Sequence, residues 1–188
     1  METINLTGLS PFLSHVVFSH GKESGPHGRK ILALMAAAEE SGLEVTSVDY
    51  RSCANANERV ILLREAMRQI NVPSSHVILV GSSMGGYVST VIASELPVAG
   101  LFLMAPALWM PAEEYTIQSY RPQTMNIEII HGFQDDIVPF ENSVKFATEN
   151  TGTILHLVHD DHRLSASHDF LADQFKRFIG RIKRNANH

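Results

Sequence analysis

The chain has 188 residues, 44% of them hydrophobic, a formal net charge of -5 and one cysteine, Cys53. A chain of this length suits one domain and buries roughly 70% of the surface its unfolded form exposes, so neither metal nor disulfide is needed to hold it together. The acidic balance argues against nucleic acid as the main partner. A lone thiol excludes an intramolecular disulfide and points to a cytoplasmic home.

Residues 1–14 lack a basic region followed by an apolar run, so they read as a short N-terminal extension rather than a signal peptide. A single domain is expected over residues 15–188. Residues 15–19 (HVVFS) form a short β-branched run closed by His20-Gly21, a buried strand. A loop rich in Gly, Pro and Ser follows to Gly28. Ile31, Leu34, Met35 and Ala38 are spaced for a helix over 29–40, which Ser41-Gly42 ends. The alternation then repeats, with strands at 43–48, 76–80, 98–104, 127–130 and 153–158. Helices are expected at 57–70, 87–95, 139–148 and 167–181, and a short helix or loop at 111–120. Pro97 stops the third helix, and Pro139 opens the fourth at the favoured first position. The longest apolar stretch, 98–109, is shorter than the roughly 18 residues of a membrane span and contains Pro106. Lys176, Arg177, Arg181, Lys183 and Arg184 lie on the last helix, where a solvated face near the negative end of the helix dipole accounts for them.

Strands alternating with helices predict an α/β fold, an open, mostly parallel six-stranded sheet with helices on both faces. Ligands in such sheets bind at the carboxyl ends of the strands. After the third strand stands Gly81-Ser82-Ser83-Met84-Gly85, the pattern G-x-S-x-G. A nucleophilic Ser83 must project from a sharp strand-to-helix turn, and side chains two positions before and after it would collide. Met84 then offers its backbone N–H to an oxyanion at the helix start. Ser82 lacks glycine at both spacings and reads as a turn residue.

After the fifth strand stands His131-Gly132-Phe133-Gln134-Asp135-Asp136-Ile137-Val138-Pro139, and after the last Asp161-His162-Arg163-Leu164. These segments, with His20-Gly21 and the serine turn, resemble the α/β-hydrolase superfamily. They look most similar to small bacterial esterases without a large cap, whose last motif also reads D-H-R-L. The resemblance runs from His15 to the C-terminal helix. It implies local strand order 2-1-3-4-5-6, Asp135 as the acid of a Ser83–Asp135–His162 triad, and Lys22 as the second oxyanion N–H. Spacing alone leaves Asp136 as a rival; the family pattern assigns Asp135. Relatives often have Gly where this chain has Asp160.

In such a triad the histidine takes the serine proton and returns it to the leaving group. The carboxylate fixes the imidazole tautomer. The charge of the Lys22 side chain at the rim would favour an anionic leaving group. Trp109, Met110 and Tyr115 follow the fourth strand and are candidates for lining an acyl or alcohol pocket. Only about 20 residues separate the flanking strands there, too few for a large cap.

Other chemistries are weaker. His159-Asp160-Asp161-His162 holds metal-ligating types, but a metal would leave the serine turn without purpose, so no metal and no cofactor is expected. The glycines of 21–28 lack the rest of a phosphate-loop pattern. Cys53 has no activating neighbour in sequence. His20 and His131 read as structural imidazoles bonded to adjacent loops. The expected activity is hydrolysis of a small carboxylic ester or thioester through an acyl-serine. The alternative is a non-catalytic ligand- or protein-binding module on the same fold.

Overall fold

A computed structural model describes residues 13–53, 55–111 and 113–185; residues 1–12 of the expected N-terminal extension lie outside them. Six strands form the sheet: β1 (His15–Ser19), β2 (Glu44–Val48), β3 (Val77–Ser82), β4 (Gly100–Met104), β5 (Ile127–Gly132) and β6 (Ile154–Val158). Their order is β2-β1-β3-β4-β5-β6, the expected one, and every pair is parallel. The helices are α1 (Arg29–Glu40), α2 (Ala56–Gln69), α3 (Met84–Glu95), α4 (Phe140–Glu149) and α5 (His168–Asn185).

Strand periodicity divides the core. Val16, Phe18, Ile78, Val80 and Phe102 point to one face, against Leu34 of α1 and Phe175 and Phe178 of α5. Val17, Leu79, Leu101, Leu103 and Ile129 point to the other, against Leu63 of α2, Val88 of α3 and Phe146 of α4. Strands β1, β3, β4 and β5 are therefore buried throughout, whereas the edge strands β2 and β6 are partly exposed. Gly100 lets α5 lie directly on β4: a Cβ there would come within 2.7 Å of Ile182 and Phe178.

Most element boundaries differ from sequence expectation by one to four residues, and three differences bear on the site. Helix α2 starts at Ala56 because Asn55 caps it, its side chain accepting from the N–H of Asn57 and Glu58. Helix α3 starts at Met84, directly after the serine, so no separate turn intervenes. Residues 105–126 hold neither helix nor strand among their described residues. Side chains satisfy their backbone instead: Tyr87 accepts from the Ile117 N–H, and Gln118 donates to the Tyr115 carbonyl.

The basic groups of α5 are partly tied down rather than free. Lys176 pairs with Glu40 at 2.7 Å, Lys183 donates to the Ser41 carbonyl, and Arg181 pairs with buried Glu128 of β5, which also meets His156. Among the described residues no helix is long and apolar enough to cross a membrane.

Candidate active site

The carboxyl ends of β1, β3, β5 and β6 bring the predicted residues to one place. Ser83 caps α3 with φ 55° and ψ -122°, a conformation that costs an L-residue energy and is held by its surroundings. Those surroundings are glycines. A Cβ on Gly81 would lie 2.5 Å from the Gly85 carbonyl oxygen, and one on Gly85 would run into the Ser19 carbonyl of β1. The two motif glycines thus allow the turn to close and α3 to sit against the end of β1.

The Ser83 hydroxyl lies 2.9 Å from His162 Nε2, and His162 Nδ1 lies 2.6 Å from Asp135 Oδ2. The Asp135 carboxyl is fully buried. Burial alone would raise its pKa. Hydrogen bonds from His131, His162 and the N–H groups of Val138 and Ile137 outweigh that and hold it well below the usual carboxylate range. An ionised Asp135 only accepts, so His162 Nδ1 donates to it, and Nε2 of the neutral ring is left to accept from Ser83. Asp136, the sequence rival, is exposed.

Asp135 has a second histidine. His131 Nε2 is 3.0 Å from Asp135 Oδ2 and 3.1 Å from the Val138 carbonyl. Both partners only accept, so Nε2 carries the proton, and Nδ1 accepts from Ser143 Oγ at 2.7 Å. The structural imidazole expected at the end of β5 is therefore a buried clamp on the carboxylate.

The loop after β1 is fixed from beneath. Fully buried Arg59 of α2 donates to the carbonyls of His20 (3.3 Å), Gly21 (3.2 Å) and Cys53 (2.8 Å). Its guanidinium stands 5.1 Å from the centre of the Tyr50 ring. His20 accepts from the Tyr50 N–H at Nε2 and donates from Nδ1 to the Gly21 carbonyl. Burial lowers the pKa of both His20 and Arg59. Gly21 itself lies against Ser83, since a Cβ there would be 3.3 Å from the Ser83 Cβ. The N–H groups of Lys22 and Met84, predicted as oxyanion donors, make no hydrogen bond among the described residues. The Lys22 ammonium is not a free rim charge: it pairs with Glu114 at 3.2 Å.

Asp160, where the resemblance implied a glycine, is buried and makes no hydrogen bond to His162 among the described residues. It accepts from Asp161 N–H (2.8 Å), Ala166 N–H (3.0 Å) and Ser167 Oγ (2.7 Å). Burial would raise its pKa, but these donors, Ser167 foremost, hold it below the ordinary value. It ties the segment carrying His162 to the start of α5. Sequence reasoning missed Arg59 and this role of Asp160; a charged residue among apolar helix positions was the one available signal for Arg59.

A cleft of about 770 Å³ opens over Ser83 and His162, and Met110 and Tyr115 line it. Trp109 is not among its lining residues. Its ring packs on Tyr120 and Phe146, its Nε1–H donates to the Gln118 carbonyl, and Lys145 covers it at 4.1 Å. Its φ of 50° turns the chain so that its neighbour Met110 faces the cleft instead. Among the described residues no group of three or more His, Cys, Asp or Glu side chains is arranged to hold a metal ion.

A family model described as "Uncharacterised protein family (UPF0227)" matches residues 15–118. The chain belongs to this family. The part of UPF0227 that the match covers includes Ser83 and Arg59 and ends before Asp135 and His162. Solved structures extend the likeness over the rest. A protein of Xanthomonas campestris pv. campestris, named as a hydrolase of the alpha/beta superfamily, is 26% identical with TM-score 0.77, covering 89% of this chain and 98% of that one. Est1E from Butyrivibrio proteoclasticus is 15% identical with TM-score 0.70, covering 91% and 88%. An alpha-beta serine hydrolase homologue from Coxiella burnetii is 20% identical with TM-score 0.70, covering 91% and 86%. This UPF0227 member has the fold of the α/β-hydrolase superfamily. Comparison with curated protein sequences gives no match.

Proposed function

We propose that the protein is a serine hydrolase that cleaves a small carboxylic ester or thioester through an acyl-serine intermediate. The observation that carries this is the unbroken chain Asp135–His162–Ser83, at 2.6 and 2.9 Å, opening onto a cleft. Three residues from distant parts of the sequence meet in the geometry that activates a hydroxyl. The names of the Xanthomonas and Coxiella proteins agree with a hydrolase.

In the first half-reaction Ser83 Oγ bonds to the substrate carbonyl carbon while its proton passes to His162 Nε2. The N–H groups of Met84 and Lys22 hold the oxyanion, each contributing roughly a hundred- to a thousandfold in rate. The bond to the leaving oxygen or sulfur breaks, and His162 returns the proton to it. Water then attacks the acyl carbon, giving a proton to His162, which passes it to Ser83 Oγ as the acid departs. Asp135 stays ionised and stabilises the transient imidazolium.

The test is intact-protein mass spectrometry after a fluorophosphonate, on the wild type and Ser83→Ala. One stoichiometric adduct, absent from the variant, is expected. A folded wild type that takes no adduct would favour a non-catalytic binding module.

A further inference from the structure

The protein is acidic overall, yet one wall of its cleft is basic. Arg29 and Lys30 reach the cleft from the start of α1, and Arg163 from the residue after His162. None of the three side chains makes an ion pair or hydrogen bond among the described residues. The remaining charged lining residues are Lys22 and Glu114, which neutralise each other, and exposed Glu23.

Lys30 is the most sheltered of the three. Burial pushes its ammonium down to about 8, partly offset by attraction to Asp161, Asp135 and Asp160. Those carboxylates already accept from other donors: Asp135 from two histidines, Asp160 from Ser167, Asp161 from the Arg163 N–H. Lys30 is therefore a partly buried cation whose ammonium makes no hydrogen bond to the described residues, on the wall of a cleft that holds an activated serine.

The wall has a direction. Arg163 follows His162 in the chain, and Lys30 feels the charges of the His162 loop. Ala107, Met110 and Tyr115, from the segment after β4, form one apolar part of the lining, and Ile31, Ile137 and Val138 supply the rest of it. In acyl transfer the leaving group must stand at His162 Nε2, because that nitrogen returns its proton.

We infer that the preferred substrate is an ester or thioester whose leaving group carries a carboxylate or phosphate, bound by Arg29, Lys30 and Arg163, with its acyl part against Met110 and Tyr115. This rests on the serine-hydrolase reading and narrows it. The chemistry is balanced by the same steps: the acyl carbon passes to Ser83 Oγ, and the anionic alcohol or thiol leaves with the proton from His162. The charge that the sequence suggested for Lys22 is offset by Glu114, and Arg29, Lys30 and Arg163, which make no ion pair among the described residues, take that role.

The experiment compares acetyl esters of matched phenols on the full chain. kcat/KM is measured for 4-acetoxybenzoate, 4-acetoxyphenyl phosphate and the neutral 4-acetoxybenzamide. Mono-4-nitrophenyl succinate against 4-nitrophenyl acetate places the anion on the acyl side instead. The leaving-group anions should exceed the neutral ester on the order of tenfold or more at low salt, mainly through KM. Added NaCl should shrink that ratio. The larger of the carboxylate and phosphate ratios identifies which anion the wall fits. In Arg163→Gln and Lys30→Met the anionic-to-neutral ratio should fall toward one. Equal turnover of anionic and neutral leaving groups, or a preference for the succinate, overturns the inference while Ser83 labelling leaves the hydrolase standing. No turnover of any ester with no label on Ser83 overturns both. Arg163 is exposed, so its variant should fold even if Lys30→Met does not.

Discussion

Arg59 donates from Nη1 to the Gly21 carbonyl at 3.2 Å, a bond from the first turn of α2 to the loop after β1. The same nitrogen reaches the His20 carbonyl, so one buried cation sets the orientation of two successive peptides. The next N–H is that of Lys22, a proposed oxyanion donor. Arg59 thus acts on the chemistry through the backbone it holds.

Replacing Arg59 by Met should leave the carbonyls of His20 and Cys53 without their side-chain donor and the Gly21 carbonyl with His20 Nδ1 as its close partner. A loss of stability of about 2–4 kcal/mol is expected by denaturant titration. The kinetic signature should be a fall in kcat with little change in KM, because a misdirected oxyanion donor acts in the transition state. Arg59→Lys should restore stability more than kcat, since one ammonium cannot reproduce the guanidinium fork. A variant that lost stability but kept full kcat would make Arg59 purely structural.

Asp135→Asn should lower kcat by roughly ten-thousandfold, by leaving His162 free to adopt the wrong tautomer. It should also change the acid stability profile. The folded pKa of Asp135 lies below its unfolded value, so its contribution is present above the ordinary carboxylate pKa of about 3.9. That contribution is lost as pH falls through the folded value. Urea midpoints measured from neutral pH downward should therefore fall less steeply in the variant than in the wild type.

Asp160→Ala removes the acceptor for Ser167 Oγ and the N–H groups of Asp161 and Ala166. The expected cost is about 1–3 kcal/mol. Because the same segment carries His162, kcat should fall several-fold and hydrogen exchange of residues near 161–167 should accelerate. Unaltered exchange would show that the loop is held by other contacts. Asp160→Gly should behave like Ala or worse through added chain entropy.

Met110 and Trp109 are neighbours with different surroundings, which makes their truncations a discriminating pair. Met110→Ala should shift the acyl-chain-length profile of kcat/KM toward longer p-nitrophenyl esters, because it enlarges the cleft. Trp109→Ala should leave the profile unchanged and cost about 3–5 kcal/mol, because it empties packing against Tyr120 and Phe146. A changed profile in Trp109→Ala would place its ring at the substrate after all.

Much of this protein was legible in its sequence because the deciding interactions are local or periodic. Short β-branched runs between helix-spaced segments mark the strands, since a parallel strand buried on both faces has no other composition available to it. Gly81, Ser83 and Gly85 announce the sharp turn because no side chain fits at the two glycines. Strand order came from likeness to a family rather than from periodicity, which carries no information about neighbours in a sheet. Other relationships required the folded chain. Asp135 and Asp136 share one loop, and only the direction of each side chain separates a buried acceptor for two histidines from an exposed carboxylate. Arg59 and the His20–Gly21 loop are brought together by the docking of α2, and Trp109 is turned from the cleft by one positive φ. Sequence determines which groups are present and how each segment is inclined to fold; packing at long range decides which groups lose water together, and that shared desolvation sets their chemistry.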